Sequence, residues 1–168
     1  MTSSHHRTYY LIGPVQVIFN KIFITINIKK KYMVKIGFTG SRTGMTIQAR
    51  KTFEEFLKTI TIDEFHHGDC IGCDAEAHEI VSSKGITTII HPPTNSKARA
   101  FCLGNSILPA KEYLKRNQDI VNCTDVLIAF TPTKEEIVRS GTWSTIRYAK
   151  KQKKHIIIFH PDGTWRYY

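Results

Sequence analysis

The sequence lacks any run of 18 uncharged apolar residues, which argues against a membrane-spanning helix. It has only four cysteines in 168 residues, too few for the disulfide framework of a small secreted domain. The apolar stretch near the N-terminus is short, contains Pro14 and lacks a small-residue cleavage site, so it is a poor match to a secretory signal. We therefore expect an intracellular, cytoplasmic protein in a reducing compartment.

Acidic residues are missing from the first 33 positions, where Arg7 and four lysines account for half of the net charge of +10. The rest of the chain therefore carries a charge of only +5. This mild excess suits an anionic ligand and does not by itself require nucleic acid.

Residues 1–32 also differ from the rest in pattern, because they are rich in isoleucine and tyrosine and contain no convincing turn signal. We interpret them as a weakly ordered extension, with Met33 as the natural start of the protein. The alternative is a hairpin of VQVIF and IFITINI added at a sheet edge. Residues 33–168 are predicted to form the globular domain.

From Met33 onward, short apolar runs alternate with helical patterns. Five of these runs are predicted to be strands: VKIGFTG, EFHHG, ITTIIHPP, DVLIAF and HIIIFHPDG. Four helices are predicted between them, with Asp74 as the cap of the second and Pro109 in the first turn of the third. This alternation predicts an α/β sandwich with a mostly parallel five-stranded sheet.

Ligands bind such sheets beyond the carboxyl ends of the strands, where the winding reverses, so the residues that follow each strand are of interest. Gly40, Ser41 and Arg42 follow the first strand, where a glycine turn, a hydroxyl and a guanidinium suit an anion. The turn is not GxGxxG and lacks the lysine of a P-loop. It therefore argues against a standard dinucleotide fingerprint and against a Walker-type ATPase.

The second turn, His67 to Asp74, holds Gly68, Gly72 and two carboxylates. Asp74 is expected to cap the next helix, whereas Asp69 has no evident structural task and is a candidate for contact with a ribose hydroxyl or a base edge. The alternative is zinc, because five residues of the zinc-ligand type lie nearby: His66, His67, Cys70, Cys73 and His78. A single CxxC lacks the second pair of a structural site, so no metal is predicted.

Phosphate binding is predicted most directly at Ser140, Gly141 and Thr142, where a glycine with flanking hydroxyls opens a helix. Trp143 follows and suits either stacking on a base or packing in the core. The pair Arg116 and Asn117, inside the preceding helix, is expected to point at the same sheet edge. Lys97 and Arg99, in a loop after the third strand, suit either solvent or ligand contact.

Taken together, these segments resemble the SLOG superfamily, which includes the LOG phosphoribohydrolases, the DNA-processing protein DprA, the YspA-like (DUF2493) domains and nucleotide-sensing domains of antiviral systems. The likeness spans about residues 34 to 163 and rests on FTGSR, HGDCIGCDAEAH, YLKRNQDIV and RSGTWSTIRYAKK. It is nearest to the YspA-like branch. The resemblance implies a Rossmann-like domain over residues 33–168 that binds a nucleotide or nucleotide-derived ligand, with the phosphate near Gly141 and Thr142.

The LOG hydrolases carry a catalytic glutamate in the motif PGGxGTxxE, and Thr145 stands at that position here. A threonine does not replace a carboxylate as a general base or as a partner for an oxocarbenium-like charge. Phosphoribohydrolase activity of the LOG type is therefore not expected. Candidate catalytic groups that remain are Asp69, Asp74 and Arg116.

Three functions follow, in decreasing order of support. The first is a sensor, carrier or scavenger that binds a nucleotide or an ADP-ribose derivative, with no further cofactor. The second is a hydrolase of an N-glycosidic or phosphate bond in a nucleotide. The third is a DprA-like protein that binds single-stranded DNA. Exposed helix faces also allow a homodimer.

Overall fold

The computed structural model describes residues 34–168, and the expectations for residues 1–32 lie outside this range. The strands are β1 (Val34–Gly40), β2 (Ile62–His67), β3 (Thr87–Ile90), β4 (Ser106–Ile107), β5 (Val126–Phe130), β6 (His155–Phe159) and β7 (Trp165–Tyr167). The helices are α1 (Ile47–Leu57), α2 (Cys73–Ser83), α3 (Tyr113–Asn122) and α4 (Gly141–Lys151), together with one 3-10 turn at Ser96–Ala98. Within these residues, no helix is long and apolar enough to cross a membrane.

The seven strands form one sheet in the order β4-β3-β2-β1-β5-β6-β7. All neighbours run parallel except β7, which pairs antiparallel with β6. The five predicted strands correspond to β1, β2, β3, β5 and β6, and the predicted fold class is confirmed. The predicted number of strands is wrong, because the short strands β4 and β7 extend the sheet from five strands to seven. The chain winds outward from β1 in one direction and then returns to add β5 on the other side. The point where the winding reverses therefore lies between β1 and β5.

Helices cover both faces of the sheet, which gives the three layers of a Rossmann-like sandwich. On one face Phe53 of α1 packs edge-to-face against Phe130 and Phe159 of the sheet, with ring centroids 5.3 and 5.8 Å apart. On the other face Trp143 and Ile146 of α4 belong to a buried cluster that includes neighbouring strand residues of β5 and β6. The sheet is thus buried on both sides, as the apolar runs of β5 and β6 require.

Two helix starts differ from the prediction. Helix α2 begins at Cys73 after Gly72, and the side chain of Asp74 does not cap it. Helix α3 begins at Tyr113, four residues after Pro109. The reason for the later start is that Lys111 pairs with Pro93 in an isolated bridge, which keeps the backbone before α3 extended.

Candidate functional site

A cleft of about 440 Å³ lies at the carboxyl ends of β1 and β5, where the winding of the sheet reverses. Its lining residues are Thr39, Gly40, Ser41, Arg42, Cys70, Asp74, Tyr113, Arg116, Asn117, Pro132, Arg139, Ser140, Gly141 and Thr142. Three of them are arginines and one is an aspartate. The formal charge of the lining is therefore positive, which favours an anionic ligand.

The turn after β1 is held tightly against the start of α2. A Cβ on Gly40 would lie 2.3 Å from the Cβ of Cys73, so only glycine permits this approach. Gly72 has a φ of +83°, and a Cβ there would lie 2.5 Å from the backbone of Arg42. Cys73 N–H donates to the carbonyl of Ser41 at 3.0 Å. These contacts fix Ser41 and Arg42 at the wall of the cleft, while Gly72 itself lies outside it.

Asp74 is a buried carboxylate on the floor of the cleft. Its Oδ2 accepts hydrogen bonds from the amides of Gly68 and Cys70 at 3.1 and 3.2 Å, so it orders the turn before α2 rather than capping the helix. Its Oδ1 has no hydrogen-bond partner among the residues that the structure describes. Burial raises the pKa of Asp74 to about 6, although the nearby Arg116 guanidinium lowers it.

Arg116 lies beside Asp74 and is 5% exposed. Its Nη1 is 3.9 Å from Asp74 Oδ2, beyond hydrogen-bond distance, and its Nη2 donates only to the Cys70 thiol at 3.4 Å. Its Nε is buried without any partner. A guanidinium has five N–H donors, and leaving them unpaired in a buried place costs free energy. Within the described part of the chain, Arg116 therefore lacks the acceptors that such a group requires.

Gly68 leaves the space that the arginine fills. A Cβ on Gly68 would lie 1.2 Å from Arg116 Nη1. The glycine thus positions the guanidinium without lining the cleft itself.

Tyr113, at the start of α3, lies between two guanidinium groups. The Cζ atoms of Arg42 and Arg116 lie 5.4 and 5.6 Å from the centre of its ring. Cation–π contacts of this kind hold arginines in place while leaving their N–H groups able to donate.

The N-terminus of α4 forms the opposite wall. Ser140 Oγ accepts from Trp143 N–H at 3.3 Å and caps the helix. The amides of Gly141 and Thr142 have no acceptor among the described residues. Free amides in the first turn of an 11-residue helix attract an anion through both hydrogen bonding and the helix dipole. Arg139 lines the cleft directly before this turn.

Asn117 and Thr145 join α3 to α4 beside the cleft. Asn117 Nδ2 donates to Thr145 Oγ1 at 2.8 Å, and Thr145 Oγ1 donates to the carbonyl of Gly141 at 2.9 Å. The Thr145 hydroxyl thus accepts one hydrogen bond and donates another, and the residue is buried. Thr145 supports the wall and presents no acid or base to a ligand.

Four residues of the predicted ligand site lie outside the cleft: Gly68, Asp69, Gly72 and Trp143. The prediction that Asp69 has no structural task is wrong. Asp69 is fully buried, and its carboxylate accepts from Arg99 Nε at 2.7 Å and from Cys102 N–H at 2.9 Å. It therefore anchors the loop after β3, and it offers no free oxygen to a substrate.

Trp143 is 1% exposed and belongs to the core under α4. Of the two roles considered for it, packing in the core is therefore the one that the structure shows, and stacking on a base is not. Arg99, bound to Asp69, also stacks on Phe101 with its Cζ 4.5 Å from the ring centre. Neither Arg99 nor Lys97 lines the cleft.

Among residues 34–168, one group of side chains has the spacing of metal ligands: His67, His78 and Cys102, whose ligand atoms lie within 4.8 Å of one another. Asp69 N–H donates to His67 Nδ1 at 3.1 Å, so the proton of this ring is on Nε2. That Nε2 lies 3.0 Å from His78 Nδ1 and donates to it. A metal would need the same Nε2 deprotonated. The hydrogen bonds therefore account for this group without an ion.

The other residues of the zinc alternative are dispersed. His66 lies in β2, and its Nδ1 is 2.9 Å from Nε2 of His91, which directly follows β3. Cys73 packs against Gly40, and burial raises the pKa of its thiol to about 12. Cys70 lies in the cleft beside Arg116.

Nine predicted ligand residues come together in the cleft: Gly40, Ser41, Arg42, Asp74, Arg116, Asn117, Ser140, Gly141 and Thr142. The prediction did not include Thr39, Cys70, Tyr113, Pro132 and Arg139. Arg139 carried a usable signal, because it directly precedes the predicted phosphate-binding turn. Pro132 directly follows the end of a predicted strand, but its side chain has no group that binds a ligand, and Tyr113 belongs to no turn motif.

Two solved structures resemble this fold. The molybdenum cofactor binding protein from the phototrophic bacterium Rippkaea orientalis aligns with a TM-score of 0.59 and 20% identity, covering 78% of each chain. DNA processing protein A (DprA) from Streptococcus pneumoniae aligns with a TM-score of 0.57 and 20% identity, over 76% of this chain and 50% of that chain. Both likenesses establish a shared Rossmann-like fold.

No protein-family model matches the sequence, and no curated protein sequence matches it either. The YspA-like branch therefore stays a prediction.

Proposed function

We propose that the chain binds a nucleotide or nucleotide-derived ligand in the cleft, with a phosphate group between Arg116 and the first turn of α4. The observation that carries this proposal is Arg116, a buried guanidinium whose single hydrogen-bond acceptor in the described structure is a thiol. A phosphate supplies two acceptor oxygens at the spacing of the guanidinium fork and balances its charge.

Other groups of the cleft support the same ligand. The free amides of Gly141 and Thr142 point to a phosphate at the helix N-terminus. Arg42 and Arg139, both exposed, add positive charge at the rim. Of the two proteins of similar fold, one is named for binding a cofactor and the other for processing DNA. Both names are consistent with a small-molecule or nucleic-acid ligand for this fold.

The first experiment is to purify the full chain, denature it and identify any released small molecule by mass spectrometry. We expect a phosphorylated nucleoside derivative at about one molecule per chain. Whether or not a molecule is retained, binding of ribose 5-phosphate by titration calorimetry tests the phosphate site directly.

Arg116→Gln is the matched variant for this site. Loss of charge-assisted hydrogen bonds is expected to weaken ribose 5-phosphate binding by roughly tenfold or more. Arg147→Gln is the control, because it removes the same charge from an exposed residue that pairs with Glu136 outside the cleft. Equal binding by the two variants would contradict the proposal.

A hydrolase is the second candidate, and Asp74 is the observation that favours it. Asp74 is the sole carboxylate among the described residues of the cleft, and its raised pKa of about 6 keeps part of it protonated near neutral pH. A protonated carboxyl with a free oxygen suits a general acid that protonates a leaving group. We expect Asp74→Asn to retain ligand and to stop release of base or phosphate. Catalysis that survives this change would eliminate Asp74 as the acid.

A further inference from the structure

Asn117 directly follows Arg116 on α3, and it lines the cleft as a half-buried residue. Its side-chain amide has two different ends, because Nδ2 donates hydrogen bonds and Oδ1 accepts them. Which end is available therefore decides what Asn117 offers to a ligand. The hydrogen bonds of Thr145 answer this question.

Thr145 fixes the orientation of the Asn117 amide. The carbonyl of Gly141 can only accept, so the single proton of the Thr145 hydroxyl is used in their bond of 2.9 Å. Thr145 Oγ1 must then accept in its bond of 2.8 Å with Asn117, and Nδ2 is the atom that donates. Turning the amide over would lose this bond. Because Nδ2 is bound to a residue that does not line the cleft, Oδ1 is the end left for a ligand.

Asn117 Oδ1 differs in its chemistry from the groups around it. The guanidinium groups of Arg42, Arg116 and Arg139, like the free amides at the start of α4, donate hydrogen bonds. None of the described residues donates to Asn117 Oδ1. A phosphate at neutral pH consists of acceptor oxygens, so it does not pair with this oxygen. The group that does must be a hydrogen-bond donor in another part of the ligand.

The position of Asn117 indicates which part of the ligand this is. Arg116 and Asn117 are consecutive residues, with Cα atoms about 3.8 Å apart, so the acceptor lies close to the proposed phosphate site. In a sugar phosphate or a nucleotide, the donors nearest to the phosphate are the hydroxyl groups of the sugar. The amino group of a base lies on the far side of the sugar.

We infer that Asn117 determines specificity by accepting a hydrogen bond, through Oδ1, from a sugar hydroxyl of the bound ligand. This inference rests on the proposed function, because the phosphate must first bind beside Arg116. It adds the substrate class: phosphorylated sugars with free ring hydroxyls are preferred to phosphates whose ring has none.

The test is titration calorimetry of the full chain with ribose 5-phosphate and with tetrahydrofurfuryl phosphate, which keeps the five-membered ring and the phosphate but has no hydroxyl. Loss of the hydroxyl leaves the acceptor unpaired, so ribose 5-phosphate should bind about tenfold more tightly. Equal affinity for the two compounds overturns this inference and leaves the phosphate site intact. If neither compound binds, the proposed function is overturned as well.

Asn117→Leu removes the acceptor and keeps a side chain of similar size. We expect it to reduce the affinity for ribose 5-phosphate to that for tetrahydrofurfuryl phosphate. Binding of tetrahydrofurfuryl phosphate, which reports the phosphate site and correct folding, should stay unchanged. Gln118→Leu is the matched control, because it removes the same amide from an exposed neighbour that does not line the cleft. It should keep the preference for ribose 5-phosphate.

The comparison of the two compounds separates contact with a hydroxyl from a merely structural role. An equal loss of affinity for both compounds would mean that Asn117 supports the phosphate site alone, which overturns the inference. If Asn117→Leu binds neither compound, Asn117→Ala takes its place with the same expected result. A preference for ribose 5-phosphate that persists in the folded variant also overturns the inference.

Discussion

At the scale of single residues, Gly141 allows binding to be tested separately from folding. It lines the cleft at the first position of α4, and a Cβ built on it meets no atom within 4 Å. Gly141→Asp places a carboxylate where we propose the phosphate, so ribose 5-phosphate binding should be lost. A carboxylate at a helix N-terminus contributes about 0.3–1 kcal/mol of stability, so the melting temperature should hold or rise.

Gly141→Ala is the control at the same position. Its methyl group fits the open space and carries no charge, so ribose 5-phosphate should bind as it does to the unaltered chain. Undiminished binding by Gly141→Asp would show that the phosphate lies elsewhere.

Residues were predictable where the local sequence determines both their position and their chemistry. Gly40 ends the apolar run of β1, and Gly141 opens the helix that follows β5, so the alternation of strands and helices alone indicates the sheet edge at which they meet. Asp69 and Trp143 could not be assigned in this way, because their roles depend on burial. The partner of Asp69 is Arg99, 30 residues further along the chain, and no local pattern links the two.

At the scale of elements, α1 is held to the sheet by its aromatic face. Phe53 is fully buried against rings of β5 and β6, so Phe53→Ala should lower the free energy of unfolding by about 3–5 kcal/mol. Ile47 lies on the same helix but is 84% exposed, and Ile47→Ala should change stability by no more than about 0.5 kcal/mol. Urea unfolding of both variants measures the difference, and similar losses in the two would contradict this account of the packing.

Long apolar elements were predictable and short ones were not. β5 is fully apolar and β6 is apolar after His155, and such runs need cover on both faces, which predicts a parallel sheet. β4 has two residues and β7 has three, too few for a pattern to repeat. Their places depend on hydrogen bonds to β3 and β6, which are contacts of the folded chain.

At the scale of the whole molecule, buried histidines predict how stability depends on pH. Burial lowers the pKa of His67 to about 3, and His78 adds to this effect. Burial also lowers the pKa of His91 to about 4, with a further contribution from His66. Well above pH 6.5 these rings are neutral in both folded and unfolded chains. Between pH 6.5 and about 4 the unfolded chain takes up protons that the folded chain does not, so stability falls.

Each such histidine contributes a slope of up to about 1.4 kcal/mol per pH unit in this window. Asp74 acts in the opposite direction, because its raised pKa means that the folded chain holds a proton more firmly between about pH 4 and 6. The two histidines outweigh the one aspartate, so the urea midpoint should decrease from pH 7 to pH 5. A His91→Gln variant should show a shallower decrease. A midpoint that is constant over this range would contradict the prediction.

The distribution of charge predicts which residues bind single-stranded DNA. Half of the net charge lies in the first 33 residues, including Lys29, Lys30 and Lys31. We expect oligonucleotide binding to decrease steeply with salt and to be lost when these three lysines are changed to glutamine, while ribose 5-phosphate binding persists. Fluorescence anisotropy of a labelled oligonucleotide measures the first, and titration calorimetry measures ribose 5-phosphate binding. Oligonucleotide binding that survives the substitution and competes with ribose 5-phosphate would favour the DprA-like function instead.

The guanidinium of Arg116 occupies the space that a Cβ at position 68 would need, so the arginine fits only because residue 68 is glycine. The two positions, 48 residues apart in the chain, are therefore not free to evolve independently. In chains related to this one, we expect a side chain at the position of Gly68 only where a shorter residue replaces the arginine. Such paired replacements would mark the lineages in which the anion-binding role of the cleft has been given up.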